Sequence, residues 1–209
     1  MTLVKICGIT NQADALASVE AGADVLGFNF YPKSPRFIHP DQARRIVDAL
    51  PKRVLTVGVF VNESPEDVRN MMSRSGVGAI QLHGDETPEY CELLSDQFVI
   101  KALRVKSDFE PTAAAAYKVQ AVMLDTYDPV KFGGTGVVMD WSAARKTRDL
   151  VTRLFLAGGL SAENVAQAIA EVSPYAVDVC TSLEIAPGKK DHDRVRAFIR
   201  TVHDTAVKR

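Results

Sequence analysis

Several short apolar segments of this 209-residue chain end in side chains that can transfer protons. Cys7 follows Val4-Lys5-Ile6, Asp125 follows Val122-Met123-Leu124, and His83 ends a third such run. A cysteine acts as a base or nucleophile when its surroundings lower the pKa of its thiol, and a carboxyl with apolar backing keeps its proton near neutral pH. These residue types predict acid–base chemistry. A buried structural cysteine and a hydrogen-bonded structural histidine are the alternative interpretations.

Two other features suit an anionic ligand. Gly158-Gly159 follows a buried run and precedes a predicted helix, so backbone N–H groups can approach a phosphate there and the helix dipole adds to the attraction. Arg36 lies in a loop stiffened by Pro32 and Pro35, and its planar guanidinium suits a carboxylate or a phosphate. A simple tight turn and a solvent-exposed arginine are the alternatives.

A glycine-rich sequence, GGTG at residues 133–136, lies within the long segment 127–140. Loops of this length in a compact domain are usually functional, and this one could close over a ligand and exclude water. Gly134 is therefore a candidate binding residue, with a flexible connector as the alternative.

Eight apolar or β-branched runs alternate with helical patterns, and most are apolar on successive residues, as strands buried on both faces are. Eight β-then-α units predict a (β/α)8 TIM barrel of eight parallel strands, formed by residues 1–209 as one domain; a doubly wound open sheet is the alternative. The runs begin near Leu3, Asp24, Val54, Val77, Phe98, Ala121, Arg153 and Ala176. The predicted helices cover residues 12–21, 40–50, 68–73, 90–94, 113–116, 165–172 and 191–207, several of them opened by a capping residue and a proline.

Ligands of such a barrel bind at the carboxyl ends of its strands. Cys91 is predicted to lie on a helix in the core, and Asp178 to be a buried residue in the middle of a strand. The strand-end positions are Cys7, Asn29, Asn62, His83, Arg104, Asp125, Gly158-Gly159 and Thr181-Ser182.

Composition excludes several classes of partner. The 25 basic and 26 acidic residues leave a formal net charge of −1, and the short basic pairs Arg44-Arg45 and Lys189-Lys190 are interpreted as solvated faces. No nucleic-acid partner is therefore expected. No apolar run is long enough for a membrane span, and a strand pattern begins almost at residue 1, which leaves no room for a signal peptide. Three scattered cysteines predict neither a disulfide framework nor a metal site, which favours a cytoplasmic location.

The order of these motifs along nearly the whole chain resembles the phosphoribosylanthranilate isomerase family of tryptophan biosynthesis. The matching segments are VKICGIT at 4–10, GADVLGFNFYPKSPR at 22–36, VGVFVN at 57–62, QLHGDE at 81–86, IKAL at 100–103, LDT at 124–126, GGTG at 133–136, DW at 140–141, LAGGLSAENV at 156–165 and APGKKD at 186–191.

The resemblance implies an Amadori rearrangement of a phosphorylated aminoaldose to an aminoketose, without a cofactor. Asp125 would protonate the ribose ring oxygen, and Cys7 as a thiolate would remove the C2′ proton. Arg36 would hold the anthranilate carboxylate, and amides around Gly158-Gly159 and the turn after the eighth strand would bind the phosphate. Monomers and homodimers both occur in the family.

One segment departs from the family pattern. Family members carry a Ser-Gly or Gly-Gly step after the eighth strand, where this chain has Cys180-Thr181-Ser182. If the family glycine needs a positive φ, Ser182 must strain or re-route the turn, and the hydroxyls of Thr181 and Ser182 could instead donate to phosphate. Two other functions stay open: a histidine-pathway or dual-substrate phosphoribosyl isomerase, and a catalytically weak phosphosugar-binding barrel. Cys7 in place of an aspartate argues against the first of these.

Overall fold

The carboxyl ends of eight parallel strands meet at one mouth, because the strands close into a barrel in the order β1 to β8 with β8 pairing back onto β1. The computed structural model describes residues 1–106, 108–126 and 141–207. Closure confirms the predicted barrel and excludes the open sheet. The strands are β1 (Leu3–Ile6), β2 (Val25–Asn29), β3 (Leu55–Phe60), β4 (Ala79–Leu82), β5 (Val99–Val105), β6 (Ala121–Thr126), β7 (Leu154–Leu156) and β8 (Ala176–Val179).

Helices cover the outside of the barrel, and their starts follow from local sequence. Asn11, Ser64 and Thr87 each accept a hydrogen bond from the backbone N–H three residues later, which satisfies a donor that the first turn leaves unpaired. Gly22 and Gly76 end two helices in the left-handed conformation. The helices are α1 (Gln12–Ala21), α2 (Pro40–Asp48), α3 (Pro65–Ser75), α4 (Pro88–Glu92), α5 (Trp141–Arg148), α6 (Val165–Val172) and α7 (His192–Val207).

The strands are buried on both faces, which explains their nearly continuous apolar sequences. One core lies between strands and helices, and a smaller one fills the barrel interior. In β8, Val177 and Val179 belong to the outer core, and Ala176 belongs to the inner one. Asp178 lies in the middle of this strand, buried and paired with Lys5, as expected.

Several elements differ from the sequence expectation. Helix α5 was not predicted, and residues 111–116 form a 3₁₀-helix rather than an α-helix. A second 3₁₀-helix, Thr181–Leu183, and an antiparallel pair, β9 (Glu184–Ala186) with β10 (Lys189–Lys190), follow β8 and were also missed. None of the helices in the described ranges is long and apolar enough to cross a bilayer.

Packing around Gly58 and Gly78 predicts contrasting effects on stability when each is replaced by alanine. A Cβ on Gly58 of β3 would lie 2.7 Å from the Phe30 ring and 2.8 Å from the Phe60 ring, whereas one on Gly78 would meet nothing closer than 3.7 Å. Gly58→Ala should therefore lower the free energy of unfolding by about 1–3 kcal/mol, and Gly78→Ala should leave it nearly unchanged. Urea unfolding measures both, and equal stability of the two variants would contradict this packing.

Candidate active site

Cys7 lies at the mouth, one residue beyond β1. Its backbone N–H donates to the carbonyl of Val179 at 2.9 Å, so the ladder between β1 and β8 extends up to the thiol. The next residue, Gly8, is left-handed with φ 76°, and a Cβ there would lie 2.8 Å from Arg36 Cδ and 2.9 Å from Cys180 Sγ. Glycine at this position thus permits both side chains to approach the end of β1.

The surroundings of the Cys7 thiol act on its pKa in both directions. Burial raises its pKa above the ordinary cysteine value; the ammonium groups of Lys5 and Lys190 lower it, and the Asp178 carboxylate raises it. The net direction is upward, because desolvation disfavours the thiolate more than the two cations favour it. The cations of the site therefore offset only part of the effect of burial on the thiol.

The side chains of Asp125 and His83 are in contact at the mouth of the barrel. His83 Nε2 lies 3.3 Å from Asp125 Oδ2, and His83 Nδ1 lies 2.7 Å from Nε2 of the buried Gln81 amide. An amide nitrogen can only donate, so this contact assigns the proton of a neutral His83 to Nε2, which then points at Asp125. The arrangement orients the Asp125 carboxyl, whose side chain is 30% exposed and open to a ligand.

Arg36 is engaged by a residue that sequence reasoning did not identify. Its Nε donates to Glu184 Oε1 at 2.9 Å and its Nη2 to Glu184 Oε2 at 2.7 Å, and Nη2 also reaches Thr181 Oγ1 at 3.3 Å. This two-pronged pairing fixes the plane of the guanidinium. Desolvation favours the protonated form of Glu184, but the bonds from Arg36 and the charge of Lys190 outweigh it and hold the pKa of the carboxyl below its ordinary value.

Lys190 lies beneath this pair and is buried, so the interpretation of Lys189-Lys190 as a wholly solvated face is wrong for its second residue. Its ammonium donates to Glu184 at 3.1 Å and to the carbonyl of Cys180 at 3.2 Å. The β9–β10 pair positions both Glu184 and Lys190. These two strands are too short to show a hydrophobic periodicity from which they could be predicted. Burial raises the pKa of the Cys180 thiol to about 12, so this thiol stays neutral at physiological pH.

The two loops predicted to bind phosphate lie against each other. Gly158 and Gly159 both have positive φ, 89° and 66°, a conformation that few other residues adopt. Asn164 holds the turn by donating to the carbonyl of Gly159 at 2.9 Å. Ser182 Oγ donates to the carbonyl of Leu160 at 2.6 Å and so joins the loop after β8 to the loop after β7.

The segment after β8, where the family glycine is missing, does not place Ser182 in the left-handed backbone region. Residues Thr181–Leu183 form a turn of 3₁₀-helix, and Ser182 is not among the described residues with positive φ. The turn therefore has a backbone that a serine adopts readily at position 182. Gly134, the candidate from the glycine-rich segment, lies outside the described residues.

The site therefore brings Asp125 together with His83, and Arg36 together with Thr181, at the end of the barrel where Cys7 and Gly158-Gly159 also lie. Cys91 is buried within α4, as expected.

Comparison with known proteins finds similarity to one family of isomerases. The family model described as N-(5′-phosphoribosyl)anthranilate isomerase matches residues 4–201. An enzyme of that name from Trichlorobacter lovleyi is 50% identical over 204 residues, which cover 98% of this chain and 99% of the relative.

Solved structures agree. The phosphoribosyl anthranilate isomerase of Thermotoga maritima superposes with a TM-score of 0.92 at 48% identity, covering 98% of this chain and all of that one. Another such isomerase, solved with reduced 1-(O-carboxyphenylamino)-1-deoxyribulose 5-phosphate, has a TM-score of 0.88 at 46% identity, with 98% of this chain and 100% of that chain covered.

The buried position of Glu184 predicts a pH-dependent loss of stability on substitution. Glu184→Gln leaves Arg36 and Lys190 without their shared carboxylate, which should cost about 3–5 kcal/mol near neutral pH. Because the pKa of Glu184 is lowered in the folded state, its contribution is complete above the ordinary glutamate pKa and disappears as pH falls through the lowered value. Urea unfolding at neutral and acid pH should show the difference from wild type shrinking in acid.

Asp48→Asn is the matched control, since Asp48 pairs with Arg44 on the exposed face of α2. This variant should change stability little at either pH. A Glu184→Gln protein as stable as wild type at neutral pH would contradict the assigned role of the carboxylate.

Proposed function

The chain belongs to the N-(5′-phosphoribosyl)anthranilate isomerase family, and on that premise we propose that Cys7 and Asp125 are the base and acid of its reaction. It is an intramolecular oxidoreductase of tryptophan biosynthesis. It converts N-(5-phosphoribosyl)anthranilate into 1-(2-carboxyphenylamino)-1-deoxyribulose 5-phosphate, the third step from chorismate. The observation that carries the residue assignment is the convergence of Cys7, the His83–Asp125 pair and Arg36 at one end of the closed barrel.

Ring opening requires an acid. The Asp125 carboxyl gives its proton to the ribose ring oxygen, the bond from that oxygen to C1′ breaks, and the anthranilate nitrogen forms a Schiff base with C1′. His83 supports this step by presenting its Nε2 proton to the carboxylate that remains, since Nε2 lies 3.3 Å from Asp125 Oδ2. Gln81 fixes the tautomer that makes this possible.

Rearrangement then requires a base. The Cys7 thiolate removes the proton from C2′, and the electron pair moves to give an enolamine with a C1′–C2′ double bond. Protonation at C1′ and loss of the hydroxyl proton leave the ketone at C2′. Atoms and electrons balance within the substrate, so the reaction needs no oxidant, reductant or other cofactor. A thiol and a carboxyl in different environments suit the opposite roles of base and acid.

Binding of the two anionic ends completes the assignment. Arg36 donates to Glu184 through Nε and Nη2, so its Nη1 group is available to the anthranilate carboxylate among the described contacts. The phosphate binds at the joined loops, where the positive φ of Gly158 and Gly159 exposes backbone to a ligand. Thr181, Ser182 and Gly134 are proposed to line the same substrate.

The disappearance of anthranilate fluorescence with freshly prepared phosphoribosylanthranilate tests the proposal. Cys7→Ser and Asp125→Asn should each lower kcat at least about 100-fold, because each removes a proton-transfer group. Cys91→Ala, which changes a thiol in α4, is the control and should retain turnover. Full activity of a folded Cys7→Ser protein would refute the assignment of the base. No activity in the wild type would favour another aminoaldose or a binding role.

The two anion contacts should separate kinetically from the proton-transfer groups. Arg36→Met should chiefly raise KM, because its interaction with the carboxylate persists throughout the reaction. Ser182→Ala should weaken inhibition by inorganic phosphate, because it breaks the bond that joins the two loops. Steady-state kinetics with phosphate as a competitor measures both. An Arg36→Met variant with unchanged KM and reduced kcat would contradict a binding role.

The raised pKa of Cys7 predicts the pH dependence of the reaction. Because burial keeps the thiol protonated near neutrality, kcat/KM should rise as pH increases from about 7 to about 9 and the thiolate population grows. A Cys7→Ser variant should lack this rise. A wild-type kcat/KM that stays constant or falls over this range would contradict Cys7 as the base.

The sequence supports three further proposals: a cytoplasmic location, a single domain over residues 1–209, and a monomeric or homodimeric state. One solved relative, from Thermotoga maritima, is described as a dimer from which monomers were generated. Size-exclusion chromatography with light scattering decides the oligomeric state of this chain.

A further inference from the structure

A buried ion pair lies inside the barrel directly below Cys7. Lys5 of β1 and Asp178 of β8 are register partners, and Lys5 Nζ donates to Asp178 Oδ1 at 2.6 Å. The Lys5 side chain is fully buried and that of Asp178 is 10% exposed. A buried pair of this kind is weak evidence for stability, since apolar residues often stabilise such a position as well. Its position at the foot of the site points to another role.

Cys7 shares a strand face with Lys5, because successive side chains of a strand alternate and these residues are two apart. Both side chains converge on the space that the missing side chain of Gly27 leaves open on β2. A Cβ there would lie 2.8 Å from Cys7 Sγ and 3.1 Å from Lys5 Nζ. The sulfur and the ammonium nitrogen are therefore no more than about 6 Å apart, a range in which an opposite charge stabilises an ionised group.

We propose that Lys5 is a positioning residue for the reaction: its ammonium, held in place by Asp178, stabilises the thiolate of Cys7. The inference rests on the proposed function of Cys7 and goes beyond it, since neither Lys5 nor Asp178 was assigned a role in the chemistry. The carboxylate of Asp178 keeps Lys5 charged. Although burial alone would lower the pKa of Lys5, the charge and hydrogen bond of Asp178 raise it above the ordinary lysine value.

The charged groups around Cys7 carry a net charge of one positive unit. Lys190 of β10 and Arg36 of the loop after β2 act on the thiol electrostatically, but both are bound to Glu184. Cys180 at the end of β8 is neutral at physiological pH. The described charges near the thiol are thus three cations, which are Lys5, Lys190 and Arg36, and two carboxylates, which are Asp178 and Glu184. A thiolate at Cys7 would balance the excess cation.

The pH dependence of Cys7 alkylation tests this directly. Iodoacetamide labelling is followed by peptide mass spectrometry from about pH 6 to about pH 10, so that each cysteine is read separately. The main variant is Lys5→Met/Asp178→Asn, which removes both charges and leaves no buried ion unpaired. Its Cys7 labelling profile should move toward alkaline pH by about one unit or more, because the nearer cation is lost.

Two other variants separate the effect of Lys5 from that of Asp178 and from general destabilisation. Lys5→Met alone leaves the Asp178 carboxylate facing Cys7, so its profile should move further toward alkaline pH than that of the double variant. The matched control is Lys101→Met/Glu86→Gln, which removes a different buried lysine–carboxylate pair, joined at 2.7 Å between β5 and the loop after β4. This control should leave the Cys7 profile unchanged. Cys91, whose pKa burial raises to about 11, provides an internal reference in the wild type and the Lys5 variants; Lys101 and Glu86 act on its thiol, so it is not used as the reference in the control.

A folded double variant whose Cys7 profile coincides with that of wild type would overturn the proposal. So would an equal shift in the control, because it would assign the effect to general destabilisation. If the single variant does not fold, the double variant still decides. Labelling measures the thiol whether or not Cys7 is the base, so failure of the proposed function, seen as turnover without Cys7, is distinguishable from failure of this inference.

Discussion

The parallel pairing of β1 with β8 is the constraint on which the site depends. These strands lie at opposite ends of the chain, and their register from Leu3↔Ala176 to Ile6↔Val179 closes the barrel. Closure places Lys5 against Asp178 inside the barrel and brings the end of β1 beside the loop after β8 at the mouth. A shift of this register by one residue would turn the side chains to the opposite face of the sheet and separate the groups that the chemistry needs.

The cationic side chains near Cys7 are each bound to a carboxylate, which fixes their positions. Arg36 and Lys190 share Glu184, and Lys5 has Asp178, so the cations are held in fixed positions before a substrate arrives. Preorganised charge of this kind is the largest contribution to many enzymatic rate enhancements, because nothing has to reorganise during the reaction. Burial of the Cys7 thiol disfavours the thiolate and raises its pKa, and the neighbouring cations Lys5 and Lys190 offset part of this effect.

Local sequence predicted what depends on local physics. The apolar runs predicted the strands, and the cap-and-proline sequences at Ser64 and Thr87 predicted helix starts, because each of these elements is determined by its own segment. Their alternation along the chain predicted the barrel. The contacts of Arg36 with Glu184, which lie 148 residues apart, could not be read in this way. They depend on the β9–β10 pair, whose short strands carry no periodicity, and on closure of the whole barrel. The same reason explains why the direction of the Cys7 pKa could not be read from the sequence: burial arises from packing, not from neighbours in sequence.

In the proposed reaction, the closed barrel places a thiol base and a carboxyl acid on the two reacting parts of one substrate, and a crystal structure of this chain with reduced 1-(O-carboxyphenylamino)-1-deoxyribulose 5-phosphate would show whether it does. We expect the phosphate at the joined loops of Gly158-Gly159 and Ser182, the carboxylate on Arg36, and C2′ within about 3.5 Å of Cys7 Sγ. A complex in which C2′ lies beside Asp125 instead, with Cys7 out of reach of the ligand, would contradict it.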